Sequence, residues 1–231
     1  MTERAPRISV VMPVLHEADW IDGVIAHTRG LPGGGDCEVI VVDGDPAGDT
    51  LAAVAQPGVA GMRAERGRSR QMNAGAAAAR GEVLLFLHAD TFLPPTAFAD
   101  IDACLAEPAC VGGAFRHRFD SPRPVYRLMS ALVTLRSRWT RLPFGDQAIF
   151  LRRAFFESIG GFAPIPVMED VELVRRIRRR GGRLRITRSA VVTSRRRLER
   201  EGIARRVVKN WAMLVLFELG VPARRLARFY A

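Results

Sequence analysis

The sequence predicts an α/β domain built on a mostly parallel sheet, and three observations predict it. Residues 8–13, 38–43 and 83–87 are short, nearly continuous apolar runs rich in Val, Ile and Leu, the pattern of strands buried on both faces. Segments of helical period separate them, with glycines as breaks, as in chains that alternate strand and helix. Each run leads into a polar stretch that carries an acid: Glu17, Asp43 with Asp45, and Asp90. Three strand ends therefore bring carboxylates to one rim, the rim at which open parallel sheets bind ligands.

The elements follow in order. After the first strand, residues 19–29 have helical spacing through Trp20, Val24, Ala26 and His27, and Gly33, Gly34 and Gly35 break the chain. Residues 38–43 form the second strand and residues 50–55 a short helix. Residues 71–79 make an alanine-rich helix closed by Gly81, and residues 83–87 the third strand. Pro94 and Pro95 start a helix that runs through Leu105. In the second half, residues 110–119 read as a strand. Residues 125–139 read as a helix with Val125, Leu128, Met129, Leu132 and Leu135 on one stripe. Residues 148–152 are a strand and residues 153–159 a short helix ended by Gly160 and Gly161. Residues 169–180 are a helix that Gly181 and Gly182 terminate, and strands follow at 184–186 and 190–193. A last helix spans residues 203–219, stopped by Gly220 and Pro222. With no internal repeat or low-complexity linker, the chain reads as one domain, residues 1–200, and an amphipathic helical tail, residues 201–231, that packs on it or meets a membrane or a partner.

Composition narrows the function. The 231 residues carry 35 Lys+Arg against 24 Asp+Glu, a net charge of +11, and Lys209 is the only lysine. With 48% apolar and 26% charged residues the chain is a folding one, long enough for a sizeable core. The apolar run at 211–219 is interrupted by Glu218 and falls well short of the roughly 20 residues of a membrane span. The first seven residues lead into a strand without a secretory signal. Cys37, Cys104 and Cys110 are odd in number and have neither metal nor disulfide spacing. These features imply a cytoplasmic protein with reduced thiols. The charge admits a nucleic-acid binder or an enzyme that handles phosphates near a membrane.

Taken singly, each acid has a structural explanation. Glu17 and Asp19 could cap a helix, Asp43 and Gly44 could form a turn, and Asp90 could cap the helix after Pro94. Taken together they favour a site, and further motifs support it. Pro13–Val14–Leu15–His16–Glu17, then Val41–Val42–Asp43–Gly44–Asp45 with Asp49–Thr50, resemble the opening of a family 2 glycosyltransferase with the GT-A fold. Gly67–Arg68–Ser69–Arg70–Gln71–Met72–Asn73 through Gly81 is similar to that family's segment before the third strand. Leu87–His88–Ala89–Asp90 stands where the family has its metal-binding D-x-D. Phe144–Gly145–Asp146–Gln147 and Met168–Glu169–Asp170 match its acceptor-side loop and its E-D motif. The resemblance covers roughly residues 7–185, and the wording around His88 resembles a small bacterial subgroup linked to arsenosugar and other small-molecule glycosides.

The resemblance implies a role for each residue. The donor is a nucleotide-diphosphate sugar, a UDP-sugar by expectation, with Pro13, Glu17, Asp43, Arg68 and His88 on the donor side. A carboxylate can accept from the N3–H of uracil or from ribose hydroxyls. Asp90 binds a divalent cation, Mn²⁺ or Mg²⁺, which offsets charge on the departing diphosphate. His88 replaces the first acid of the D-x-D; its imidazole could donate to ribose or join the metal shell. Gln71 and Asn73 are expected to make contacts at a helix start. Asp170 is the expected base in an inverting transfer to an acceptor hydroxyl, with Glu169 beside it as a catalytic acid pair. Gly145, Asp146 and Gln147 line the acceptor side.

The arginine excess gathers after this pattern, at 175–185 and 195–209, beside the presumed acceptor side. The last helix sets Ile203, Val207, Val208, Trp211, Leu214, Val215 and Phe217 beside Arg205, Arg206 and Lys209. It could lie in a membrane interface, pack on the sheet, or pair with a second copy of the chain. A nucleotidyltransferase is the enzyme alternative, but its glycine- and base-rich loop is missing after the first strand. A nucleic-acid-binding module is the non-enzyme alternative. It is weakened by 7% aromatics and by acids where phosphates would sit. The first strand is not followed by the G-x-G-x-x-G of a dehydrogenase.

Overall fold

A computed structural model describes residues 5–140 and 143–230. The first half forms β1 (Ile8–Val14), α1 (Ala18–Gly30), β2 (Glu38–Asp43), α2 (Asp49–Ala52), β3 (Ala60–Arg63), α3 (Arg68–Ala78) and β4 (Val83–Phe86). Then come β5 (Thr91–Phe92), α4 (Ala97–Leu105), β6 (Cys110–Phe119), α5 (Pro124–Thr140), a 3₁₀ turn at Gly145–Gln147, β7 (Phe150–Arg152) and α6 (Arg153–Ser158). The chain closes with α7 (Glu169–Arg179), β8 (Arg183–Thr193), α8 (Arg196–Glu201), α9 (Ile203–Glu218) and α10 (Ala223–Tyr230).

One eight-stranded sheet runs in the order β3-β2-β1-β4-β7-β6-β8-β5. Pairs β1/β2, β1/β4, β2/β3 and β6/β8 are parallel; β7 and β5 run antiparallel to their neighbours. The mostly parallel sheet expected from the apolar runs is therefore present. Every residue of β1 and β4 is buried, and alternation splits them between two layers. Val10, Met12, Val14 and Leu85 pack with Ile21, Val24 and Ile25 of α1 and Phe98 and Ile101 of α4. Val11, Leu84 and Phe86 pack on the other face with Met72 and Ala76 of α3, Phe156, and Leu173 and Ile177 of α7. Gly75 lets α3 approach closely, for a β-carbon there would strike methyls of Val11 and Val42.

Pro13 sits inside a central strand, where a missing N–H is ordinarily costly. Val11 accepts from Leu87 N–H on the β4 side, so Pro13, two residues on, faces the same side beyond the end of β4. No ladder bond is lost there.

Several elements differ from the sequence reading. β3 and β5 are too short and, in β3, too exposed to carry an apolar run. The strands expected at 184–186 and 190–193 are one strand, β8, whose pairing with β6 has a register shift between Ala114 and Arg116. α8 and α10 were not expected. α5 is where it was expected, but it departs from the usual rule that an apolar stripe faces the core. Its apolar stripe faces outward, with Val125, Leu128, Leu132 and Leu135 exposed, while Tyr126, Ser130 and Ser137 are buried. The cause lies in β6. Its pairing with β7 covers only Gly112 and Gly113, so later backbone groups on that edge need other partners. Phe119 N–H donates to Ser130 Oγ and His117 N–H to Thr134 Oγ1. Hydrogen-bond demand turns the polar stripe of α5 inward.

The C-terminal helices pack on the chain just before α7. Val167, Met213, Ala223 and Leu226 form a buried cluster with Ile165, Met168, Phe217 and Val221 around it. Arg175 of α7 pairs with Glu218 of α9 at 2.5 Å.

Candidate active site

The ends of β1 and β2 form one part of the rim. Gln71 joins them: its Nε2 donates to Val14 O at 2.7 Å and to Val42 O at 2.8 Å, and its Oε1 accepts from Gly67 N–H. Gln71 is thus a buried clamp at the helix start, and Asn73 clamps Phe162 by reciprocal bonds of 2.8 Å. Asp43 is fully buried. Its oxygens accept from Asp45 N–H and Leu51 N–H. The resemblance sets Asp43 near the base and ribose; in the structure its carboxylate is built into the turn after β2, where backbone donors cut off by the turn need an acceptor. Glu17 is partly exposed, and Arg196 reaches back to it at 3.4 Å while stacking 4.0 Å over Trp20. His16 lies beside Asp49 at 2.8 Å, and the hydrogen bond and charge of Asp49 raise its pKa.

The end of β4 supplies His88 and Asp90, both half-buried, with Ala89 buried between them. Asp90 Oδ1 accepts from the Thr91 hydroxyl, and Asp90 O accepts from Ser194 N–H. Thr91 and Thr193 hydroxyls lie 3.3 Å apart, and Thr193 Oγ1 donates to Asp146 O. The β5/β8 pairing therefore brings Asp90 towards the Gly145–Gln147 turn.

That turn meets α7. Gly145 N–H donates to Asp170 Oδ2 at 2.7 Å. A β-carbon on Gly145 would lie 3.4 Å from the His88 ring and 3.7 Å from Asp170 Oδ2, so His88, Gly145 and Asp170 share one spot. Asp170 Oδ1 accepts from its own neighbour's N–H, at Val171. Each carboxylate oxygen keeps further acceptor capacity. Glu169 is set differently. It is 3% exposed, Arg68 Nε pairs with its Oε1 at 2.9 Å, and its Oε2 is buried without a hydrogen-bond partner. Burial pushes its carboxyl up to about 7, against the pull of Arg68, and the neighbouring Asp170 adds to the rise. Gln147, expected on the acceptor side, is fully buried. Its Nε2 donates to Phe115 O and Ser137 Oγ; it substitutes for the strand partner that β6 lacks there.

Two residues at this site were not singled out in the sequence. His117 is 3% exposed, lies 3.8 Å from Asp146 Oδ2, and has both ring nitrogens buried without a hydrogen-bond partner. Burial lowers its pKa, while Asp146 and Asp90 pull the other way. Arg136 lies 3.3 Å over the Phe144 ring. Burial lowers its pKa against the attraction of Asp146 and Asp170. A lone His in the run Arg116–His117–Arg118 carries no local signal of this placement.

Backbone strain marks the same places. Among the described residues, the non-glycine residues with left-handed φ are His16 (56°), Ala148 (48°) and Met168 (64°). They adjoin Glu17, the Gly145–Gln147 turn and Glu169, and such strain persists where surrounding structure enforces it.

The donor set suits a hard or borderline divalent cation. Asp146 Oδ1 is a buried carboxylate oxygen without a partner; the other oxygen of that carboxylate lies 3.8 Å from His117 Nε2, an imidazole that the charge of Asp90 also reaches. A second grouping lies at the ends of β1 and β2. Among the described residues, His16, Asp45 and Asp49 hold ligand atoms all within 4.8 Å of one another, and Asp90 is not in that set.

Comparison with known proteins bears on the fold and the family. The mannosyltransferase PcManGT from Pyrobaculum calidifontis, determined with GDP-Man and Mn²⁺, matches with a TM-score of 0.64 and 25% identity, over 81% of this chain and 56% of that one. TarS 1-349 from S. aureus matches with a TM-score of 0.62 at 18% identity, over 81% of this chain and 60% of that one. Its complex with UDP-GlcNAc gives 0.61 at 16%, over 81% and 58%. The TarS likeness is one of fold. The chain spans less than two thirds of the length of these structures. No curated protein matches. The family model described as Glycosyl transferase family 2 matches residues 9–168, from the first strand to the residue before Glu169. The sheet, its acidic rim and that match agree: the chain belongs to glycosyl transferase family 2 and has its GT-A fold.

Proposed function

We propose that the protein transfers a sugar, with inversion, from a nucleotide-diphosphate sugar to an acceptor hydroxyl, and that Asp170 is the base. The observation that carries this reading is the placement of the Asp170 carboxylate. Gly145 N–H and Val171 N–H fix its two oxygens, and the His88 ring stands against the same glycine. A carboxylate held this way can take the acceptor proton as the hydroxyl oxygen attacks the anomeric carbon. Glu169 does not share that task in our reading: buried and paired with Arg68, it orients the guanidinium towards the donor diphosphate. Asp43 shapes the nucleotide-side loop, and Glu17 faces the base and ribose. Asp146 and Gly145 border the acceptor, and Gln147 holds their turn.

Asp90 would hold the divalent cation, with Asp146 and His117 beside it. The bound cation supplies charge neutralisation for the departing nucleoside diphosphate. The Mn²⁺ and GDP-Man of PcManGT and the UDP-GlcNAc of TarS support a metal and a nucleotide-sugar donor. A UDP-sugar is our preferred donor, a hydroxyl compound the acceptor, and the cytoplasm the compartment.

The test combines binding and turnover. UDP- and GDP-sugars, each with and without Mn²⁺, should include one that raises the melting temperature, because a ligand of the folded state stabilises it by mass action. With that donor, Asp170→Asn should lower kcat by roughly 10²–10⁴-fold and leave nucleotide affinity within about twofold. No thermal shift with any nucleotide-sugar would remove the transferase reading. Retained turnover in the Asp170→Asn variant would remove the base assignment alone.

A further inference from the structure

The exposed apolar surface is confined to three helices. Among the described residues, every exposed large apolar side chain lies on α5, on α9 with the residue that closes it, or on α10. On α5, Val125, Leu128, Leu132 and Leu135 are 43–60% exposed, and their spacing of three, four and three residues makes one line along the helix. On α9, Val208, Trp211, Val215 and Leu219 repeat the pattern, with Leu219 76% exposed. α10 adds Phe229. These faces are unusual for a soluble surface, where large apolar residues stand singly.

Charge decides what covers them. The three helices carry nine basic residues and one acid, Glu218. That acid is already paired with Arg175. Of the basic residues, Arg136 is turned inward, over Phe144, whereas Arg127, Arg205, Arg224, Arg225 and Arg228 are exposed. A second copy meeting the first through these faces would set like charge against like. An anionic lipid surface offers opposite charge to the arginines and an apolar layer to the leucines. We propose that the outward faces of α5 and α9, with α10, dock on an anionic bilayer, their leucines and Trp211 entering the interface and their arginines meeting lipid phosphates. The outward stripe of α5 is the new element. Its inner face is fastened to the acceptor turn, for Ser137 Oγ accepts from Gln147 Nε2. A docked bilayer would therefore lie about one helix diameter, roughly 10 Å, from that turn.

The test needs no turnover, so it stands or falls apart from the proposed reaction. The full chain is sedimented with phosphatidylcholine vesicles, with and without phosphatidylglycerol. We expect binding to the anionic vesicles only, a blue shift of tryptophan emission that Trp211→Phe removes, and at least a tenfold loss of partitioning in a Leu128→Glu, Leu132→Glu variant. Both leucines are more than half exposed, so the variant should keep its melting temperature. Absence of binding to the anionic vesicles would overturn the proposal. So would binding that the double variant leaves unchanged, which would mean charge adsorption without insertion. A stable dimer in sedimentation equilibrium that the double variant dissociates would overturn it as well, by showing a second copy on these faces.

Discussion

Replacing Glu169 by Gln tests which force governs the centre of the site. Two effects oppose each other at this carboxyl. Arg68, 2.9 Å away, favours the charged form, while burial to 3% exposure and the adjacent Asp170 favour the neutral one. Burial wins, and the group titrates at about 7 against an ordinary value of 4.5. Between those two pH values the folded protein holds a proton that the unfolded chain has released. Stability therefore falls as pH rises through this window, and the contribution is fully lost above it. At about 1.36 kcal/mol per pKa unit, the fall is about 3 kcal/mol. Glu169→Gln removes the titrating group. The stability of the native protein minus that of the variant should drop by about 3 kcal/mol between pH 4 and pH 8. Urea denaturation of both proteins, followed by far-UV circular dichroism across that range, measures the difference. A flat difference would mean that the carboxyl is solvated, and a rising one that Arg68 outweighs burial. Either would refute the argument that burial outweighs the ion pair at Glu169.

Other predictions concern packing and the metal. Gly75→Ala would drive a β-carbon into Val11 and to 2.9 Å from Val42 Cγ2. It should cost about 1–3 kcal/mol by overpacking, read as a lower urea midpoint. Asp90→Asn should abolish the Mn²⁺-dependent rise in melting temperature and weaken Mn²⁺ binding measured by electron paramagnetic resonance of the free ion. An unchanged affinity would move the cation elsewhere, with His16, Asp45 and Asp49 as the next set to test.

Much of this protein was legible in its residues. β2 and β6 fall where the sequence reading put them, and β1, β4, α1 and α7 lie within one residue at each end, because continuous β-branched runs and glycine stops are local signals. The acids at the strand ends, and the order of the motifs around His88, Gly145 and Asp170, were equally visible, since a parallel sheet must carry its strand ends to one rim. Short strands such as β5 were not, for two residues carry no period.

The sequence by itself thus determined the layered sheet, the acidic rim and the family. Only the tertiary structure decided how residues of one chemical type divide their work. Asp43 and Asp170 are both acids beside loops, yet one is sealed in a turn and the other stands at the shared spot with His88. Glu169 and Asp170 are neighbours, yet one is buried against Arg68. The apolar stripe of α5 follows a helical period that ordinarily points to a core. It faces solvent because the unpaired edge of β6 takes the hydroxyls of Ser130 and Thr134. In each case the deciding quantity is whether a backbone group or charge finds a partner, and for Glu169, Asp170 and β6 that partner comes from another element of the chain.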